Sequence, residues 1–202
     1  MSYPGQDAQL VSLAMSGDEH ALSRLIDECL PAVLRWCARL GGERVEAEDA
    51  AHDVLMVVIT RIGSLKSPHA FPYWLFGITR NMLRTHRRRS WTLRWVPGAQ
   101  AEPPDRFGGP GRDYEMSETA YRVGAVLERL PQKQREVLVL IDLEERTSAE
   151  TSELLGVPQG TIKSRLRLAR ARFVKEARVM NLAPDLIEVR EPKEGGGSGA
   201  AS

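Results

Sequence analysis

Cysteine, histidine and long apolar runs are all scarce in this chain of 202 residues, and each scarcity removes a class of protein. The two cysteines, Cys29 and Cys37, are eight positions apart. On one helix that spacing is about 12 Å along the axis, too far for a bridge, so no disulfide framework is expected and both are read as buried free thiols. The four histidines, His20, His52, His69 and His86, are scattered. With neither a Cys-x-x-Cys nor a His-x-x-x-His pair, no metal is expected and no cofactor is called for. There is no glycine-rich lysine loop of the nucleotide-binding kind and no nucleophile elbow, which argues against an enzyme. No run reaches the roughly 18 apolar residues of a membrane span, and no charged segment followed by an apolar core opens the chain, so a cytoplasmic protein without membrane insertion is expected.

Net charge is also nearly absent, 28 basic residues against 27 acidic, which excludes a protein coated uniformly in positive charge. The charges are instead sorted. Acids gather at Glu43, Glu46, Glu48, Asp49 and Asp53 and again at Glu102, Asp105, Asp113, Glu115 and Glu118. Arginine and lysine concentrate in residues 71–89 and 160–178. Sorting of this kind gives a chain without a global charge the local basic surfaces that nucleic acid requires.

Helical spacing dominates and strand-type alternation is missing, so the fold is expected to be all-α. The run 137–143 reads as helix as well, opened by Pro131 as an N1 proline and burying Val137, Leu138, Leu140 and Ile141. Between residues 96 and 115 the pattern collapses into Pro97-Gly98, Pro103-Pro104 and Gly108-Gly109-Pro110-Gly111, which supplies turns in place of helix. Two small helical domains, residues 6–95 and 116–180, are therefore expected on either side of a flexible linker, with a flexible tail over 181–202 ending in a Gly/Ser-rich run.

In the second domain, residues 149–161 read as a short helix, a turn containing Gly156, and a new helix start with Thr161 near its N-cap. Ile162, Leu166, Ala169 and Phe173 share one arc of the helix that follows, with Lys163, Arg167 and Arg170 along its edge. This is a helix-turn-helix with the basic helix second, the one that enters the major groove. Thr161, Lys163, Ser164, Arg165, Arg167 and Arg170 are the candidate DNA contacts. A solvated charged face is the plainer reading of such a run, but seven bases against the single acid Glu176 over residues 161–178 favour DNA.

The first domain repeats the logic. Trp74, Leu75, Ile78 and Met82 fall on one arc of a helix and Arg80, Arg84, Arg87 and Arg88 opposite, after punctuation by Ser67-Pro68 and Phe71-Pro72. Trp74 and Phe76 are read as core, and the arginine side as a surface for single-stranded nucleic acid.

Two anchors then resemble one family in order. The first is Ala47-Glu48-Asp49-Ala50-Ala51-His52-Asp53-Val54-Leu55 followed by Trp74-Leu75-Phe76-Gly77-Ile78-Thr79-Arg80-Asn81. The second is Leu130-Pro131-Gln132-Lys133-Gln134-Arg135-Glu136-Val137 followed by Leu155-Gly156-Val157-Pro158-Gln159-Gly160-Thr161-Ile162-Lys163-Ser164-Arg165-Leu166. The chain resembles an extracytoplasmic-function sigma factor, the compact class of bacterial RNA polymerase specificity subunit.

The resemblance implies that the first domain is sigma region 2, binding the clamp helices of the polymerase largest subunit through Asp49, His52 and Asp53. It implies that Arg80, Asn81, Arg84, Arg87 and Arg88 face the melted −10 promoter element, with a flipped base held in the loop 63–70, where His69 is a candidate. The second domain is then region 4, reading the −35 element as duplex and touching the β flap, and an anti-sigma factor is an implied partner. Thr151 and Ser152 depart from the family pattern, as does His52 where a polar Gln is usual; a histidine can change charge near pH about 6.5. The alternative is a stand-alone helix-turn-helix regulator whose first domain senses a signal or dimerises.

Overall fold

The computed structural model describes residues 4–42, 45–93 and 118–182, and among these no strand occurs. The first module holds α1 (Ala8–Met15), α2 (Glu19–Gly41), α3 (Ala47–Arg61) and α4 (Phe71–Leu93), with single 3-10 turns at Ile62–Ser64 and Pro68–Ala70. The second holds α5 (Glu118–Glu128), α6 (Gln132–Leu138), a π turn at Val139–Leu143, α7 (Ser148–Leu155) and α8 (Gln159–Val179). The linker expected over 96–115 lies outside the described residues, as does the tail from residue 183. Leu182 belongs to the packed part, buried and with its N–H donating to the Ala177 carbonyl at 2.9 Å, while Asn181 before it is exposed.

Local chemistry sets the helix starts. Asp7 accepts from the backbone N–H groups of Gln9 and Leu10, and Asp18 from Ala21, so α1 and α2 each begin on an aspartate cap. Leu25, Cys29, Val33, Trp36, Cys37 and Leu40 then fall on the buried face of α2. Pro31 lies inside α2 but on its exposed side, where the missing N–H costs one backbone bond without burying an orphan in the core. Trp36 meets Phe76 of α4 edge-on at a centroid distance of 5.1 Å, an arrangement worth about 0.5–1.5 kcal/mol beyond the area it buries. Both cysteines are buried free thiols, and burial pushes each pKa up to about 12.

Pro4 and Gly5 close the outer end of this core over Phe71. Gly5 has φ +70, and a Cβ there would stand 2.1 Å from the Phe71 ring, so only glycine fits.

Several expectations shift in detail. The innermost face of α4 is Leu75, Phe76, Thr79 and Leu83, all without exposure; Trp74, Ile78 and Met82, expected on one arc with Leu75, flank it half-buried. Thr79 is accommodated because its hydroxyl donates to the Leu75 carbonyl at 3.0 Å. Pro131 is the cap residue ahead of α6, not its first helical residue. The run 137–143 changes pitch at Val139, where a π turn begins, and Ile141 is half-buried while Val139 is buried. The modules are not held apart: α2 packs against α5 and α6, and α4 against α7.

Candidate nucleic-acid and partner interfaces

The helix-turn-helix is assembled by reciprocal capping. Thr147 Oγ1 accepts from the Glu150 N–H at 3.2 Å while the Glu150 carboxylate accepts from the Thr147 N–H at 2.8 Å, starting α7 on a capping box. The Thr147 backbone hydrogen bond is the main reason that the Glu150 carboxyl lies below its ordinary pKa. Gly156 stops the helix in the left-handed conformation, φ 64, and the Val157 N–H returns to the Ser152 carbonyl at 3.1 Å. The Ser152 hydroxyl donates to the Val157 carbonyl at 2.6 Å, so this departure from the family pattern closes the turn.

The second helix of the motif, α8, starts two residues earlier than its expected cap. Pro158 is the cap residue, and Thr161 lies in the first turn, half-buried. Ile162, Leu166, Ala169, Phe173 and Ala177 are buried. That leaves Lys163, Ser164 and Arg167 exposed on the outer side and Arg165 half-buried beside them. Arg170 is different: its guanidinium donates to both Asp142 carboxylate oxygens, at 3.0 and 2.6 Å, tying α8 to the π turn. Its side chain is engaged inside the module, not presented with Lys163 and Arg167.

The basic row of α4 divides in the same way. Asn81, Arg84 and Arg88 are exposed, with Arg84 donating to the Asn81 side chain at 2.9 Å. Arg80 and Arg87 are half-buried and turned toward the second module. Arg80 grips the Glu136 carboxylate through Nε and Nη2, both at 3.1 Å. Arg87 donates to the Leu40 carbonyl at 3.2 Å and to Gln132. Burial is the main cause of the lowered Arg87 pKa, although the guanidinium stays charged. The loop 63–70 is two 3-10 turns with exposed Gly63, Ser64, Lys66 and His69.

On α3, Asp49 and His52 are exposed on one outward face with Met56 and Ile59, 45% and 43% exposed. Asp53 joins them less freely. One of its oxygens lies 2.7 Å from Nε2 of His86, a half-buried residue of α4. Nothing in the local sequence joins Asp53 to a histidine 33 positions on, and no local pattern pairs Arg80 with Glu136 or Arg170 with Asp142.

Among the described residues no group of three or more potential metal ligands occurs, and no helix is long and apolar enough to cross a membrane.

The comparisons with known proteins agree with this arrangement. Residues 25–92 match the family described as Sigma-70 region 2 and residues 121–173 the family described as Sigma-70, region 4. The ECF RNA polymerase sigma factor SigM of Mycobacterium tuberculosis is 31% identical over 169 residues, covering 84% of this chain and 83% of the relative. The ECF RNA polymerase sigma factor RpoE of Cereibacter sphaeroides is 33% identical over 163 residues, 77% of this chain and 86% of the relative. Among solved structures, the sigma factor RpoE in complex with the anti-sigma factor NepR from Bartonella quintana superposes with a TM-score of 0.57 at 25% identity, over 78% of this chain and 96% of that one. CnrH in complex with the cytosolic domain of CnrY shares the fold, with a TM-score of 0.62 at 22% identity over 87% and 97% of the two chains. With region 2 and region 4 in the expected order and relatives matched over most of their length, the chain belongs to the extracytoplasmic-function family of RNA polymerase sigma factors.

Proposed function

We propose that the two modules divide promoter recognition between them in the cytoplasm. Residues 6–95 bind the polymerase clamp helices and hold the melted −10 element, and residues 116–180 read the −35 element as duplex and touch the β flap. The observation that carries the second assignment is the two-sidedness of α8, with Ile162, Leu166, Ala169 and Phe173 buried and Lys163, Ser164 and Arg167 turned outward from the start of a recognition helix. For the first module the support is the exposed Asp49, His52, Met56 and Ile59 face of α3 and the exposed Asn81, Arg84 and Arg88 of α4. Carboxylates one turn apart suit a basic partner helix, and exposed arginines suit the backbone of an unpaired strand. The chain supplies positioning and recognition, and the chemistry of RNA synthesis belongs to the polymerase.

An anti-sigma factor is the second partner of this reading. It is supported by the structural likeness to a sigma factor solved with the anti-sigma factor NepR. The α3 face with Met56 and Ile59 is where such a partner competes with polymerase.

Transcription of a genomic library by sigma-free core polymerase, with and without this protein, tests the division when transcript 5′ ends are sequenced. New starts sharing two spaced upstream motifs support it. No new starts, together with operator binding by the protein alone, would replace it with a stand-alone regulator.

A further inference from the structure

Asp53 and His86 join α3 to α4 through a contact that the division of promoter recognition leaves unused. At about 100° per residue, Asp53 stands about 40° round α3 from Asp49. It is reached from α4 by His86, so it lies at the edge of the outward face and not at its centre. One turn from Asp49 it also meets a like charge, and like charges at that spacing repel. With its side chain 47% exposed, an aspartate so placed would have several rotamers open to it.

His86 removes that freedom. Its side chain is only 17% exposed, and its Nε2 lies 2.7 Å from Asp53 Oδ2. A carboxylate only accepts, so Nε2 carries the proton and donates. The histidine is itself well anchored: Leu83, three positions before it, is fully buried, and Met82, one turn before it, packs half-buried against the core. Oδ1 of the same carboxylate has no hydrogen bond among the described residues. One oxygen is therefore held from behind and the other is left over.

The residue type suits that division. His86 interrupts a basic run that reads Arg84-Thr85-His86-Arg87-Arg88-Arg89. An arginine in its place could take both carboxylate oxygens in its fork and would bring a permanent charge, which would rival any basic partner. A histidine nitrogen takes a single oxygen.

We propose that His86 is a positioning residue for polymerase binding: by donating to Oδ2 it fixes the Asp53 carboxylate on the α3 face and leaves Oδ1 to a basic side chain of the clamp helices. The partner then meets a carboxylate already ordered, so the loss of side-chain freedom falls on folding and not on binding. This inference rests on the polymerase role given above to Asp53, and the test separates the two.

The affinity of the full chain for immobilised, sigma-free core polymerase is measured by interferometry without DNA, with folding checked by a circular dichroism melt. His86→Met fills the half-buried space without a donor, and His86→Gln has the same length but carries an amide donor. Both are also made in an Asp53→Ala background. His86→Met should weaken binding about 3- to 10-fold, the effect of ordering one side chain, while His86→Gln stays within about twofold of the parent. With Asp53→Ala already present, His86→Met should cost nothing further, because no carboxylate remains to be held.

Parent-like binding by His86→Met beside weak binding by Asp53→Ala would overturn the positioning role and leave that of Asp53 standing. Equal losses in His86→Met and His86→Gln would assign the histidine to packing alone. Tighter binding by His86→Met would show that the histidine rivals the polymerase for Asp53, and a further loss in the Asp53→Ala background would show that it acts by another route; either result overturns the proposal. Parent-like binding by Asp53→Ala would refute the polymerase role of Asp53 itself, and the positioning of it as well.

Discussion

Two arginines on the same helix, Arg167 and Arg170, should respond to alanine in opposite ways. Arg167 is exposed and its side chain makes no hydrogen bond or ion pair to another described residue; Lys163, one turn earlier, stands about 6 Å from it along the axis on the same side. Arg167→Ala therefore removes nothing that holds the module together and should leave its melting temperature within about 2 °C of the parent, the behaviour of a surface substitution. If Arg167 reads a base edge in a bidentate fashion, the variant loses about 1–3 kcal/mol of promoter binding, roughly 5- to 150-fold, and relaxes discrimination at one −35 position. If it contacts phosphate alone, every sequence weakens alike and the salt dependence flattens by about one unit of slope. Arg170→Ala instead strands Asp142, whose side chain is only 14% exposed and loses both of its hydrogen bonds to the guanidinium. Leaving that acid unpaired costs about 2 kcal/mol, or about 8–16 °C if the second module melts by itself. The assay is a filter-binding or anisotropy titration of holoenzyme on −35 duplexes with each position varied, beside a thermal melt followed by circular dichroism. Normal promoter selection and affinity in the Lys163→Ala, Arg167→Ala double variant would refute the reading of α8. A melting temperature unchanged by Arg170→Ala would refute the structural role of the Asp142 pair.

Asp49→Lys reverses an exposed charge on the α3 face, so core polymerase association should be lost in a pull-down while the helical circular dichroism spectrum is retained; retained association moves the interface off this face. Gly156→Ala has space for its methyl group but forces a left-handed φ of 64 on an L side chain, which should cost about 1–2 kcal/mol in a denaturant titration. The depressed pKa of Glu150 makes its capping box a source of stability that is fully present above the ordinary carboxylate pKa of 4.5 and is lost as pH falls through the lower folded-state value. Melting temperature followed from neutral pH down through that window should fall less steeply in Glu150→Gln, and an identical acid limb in the two proteins would show that the capping box carries no such linkage.

Much of the chain's organisation is written locally. The aspartates before α1 and α2, the Gly156 stop, and the apolar spacing of Ile162, Leu166, Ala169 and Phe173 are short-range signals, and they suffice for helices and for a helix-turn-helix. Other positions depart from the pattern, each for its own physical reason. Thr79 counts as polar in any pattern, yet it sits fully buried in α4 because its own helix supplies an acceptor. Trp74 counts as core, yet it flanks the buried row occupied by Leu75, Phe76 and Leu83. The π turn at Val139 changes the phase of the run so that Val139 turns inward where Ile141 was expected, and regular helical spacing carries no sign of such a shift.

The arginines show most clearly where sequence reading stops. A basic arc on a helix gives the sector from which positive charge projects, and there Arg84 and Arg88 are exposed, Arg84 donating to the neighbouring Asn81 side chain. For Arg80, Arg87 and Arg170 it contains an acceptor contributed by a residue 56, 45 or 28 positions away, respectively Glu136, Gln132 and Asp142. The acids that engage these arginines are themselves poor signals, since Glu136 lies in an amphipathic helix and Asp142 in an apolar run, where either reads as ordinary surface. The near-balance of total charge, +1 overall, hides the same arrangement. Some of the compensating acids sit directly on the basic surface they neutralise. On the roles proposed above, a promoter phosphate at Arg80 would meet Glu136 as a rival, whereas the side chains of Lys163 and Arg167 are exposed.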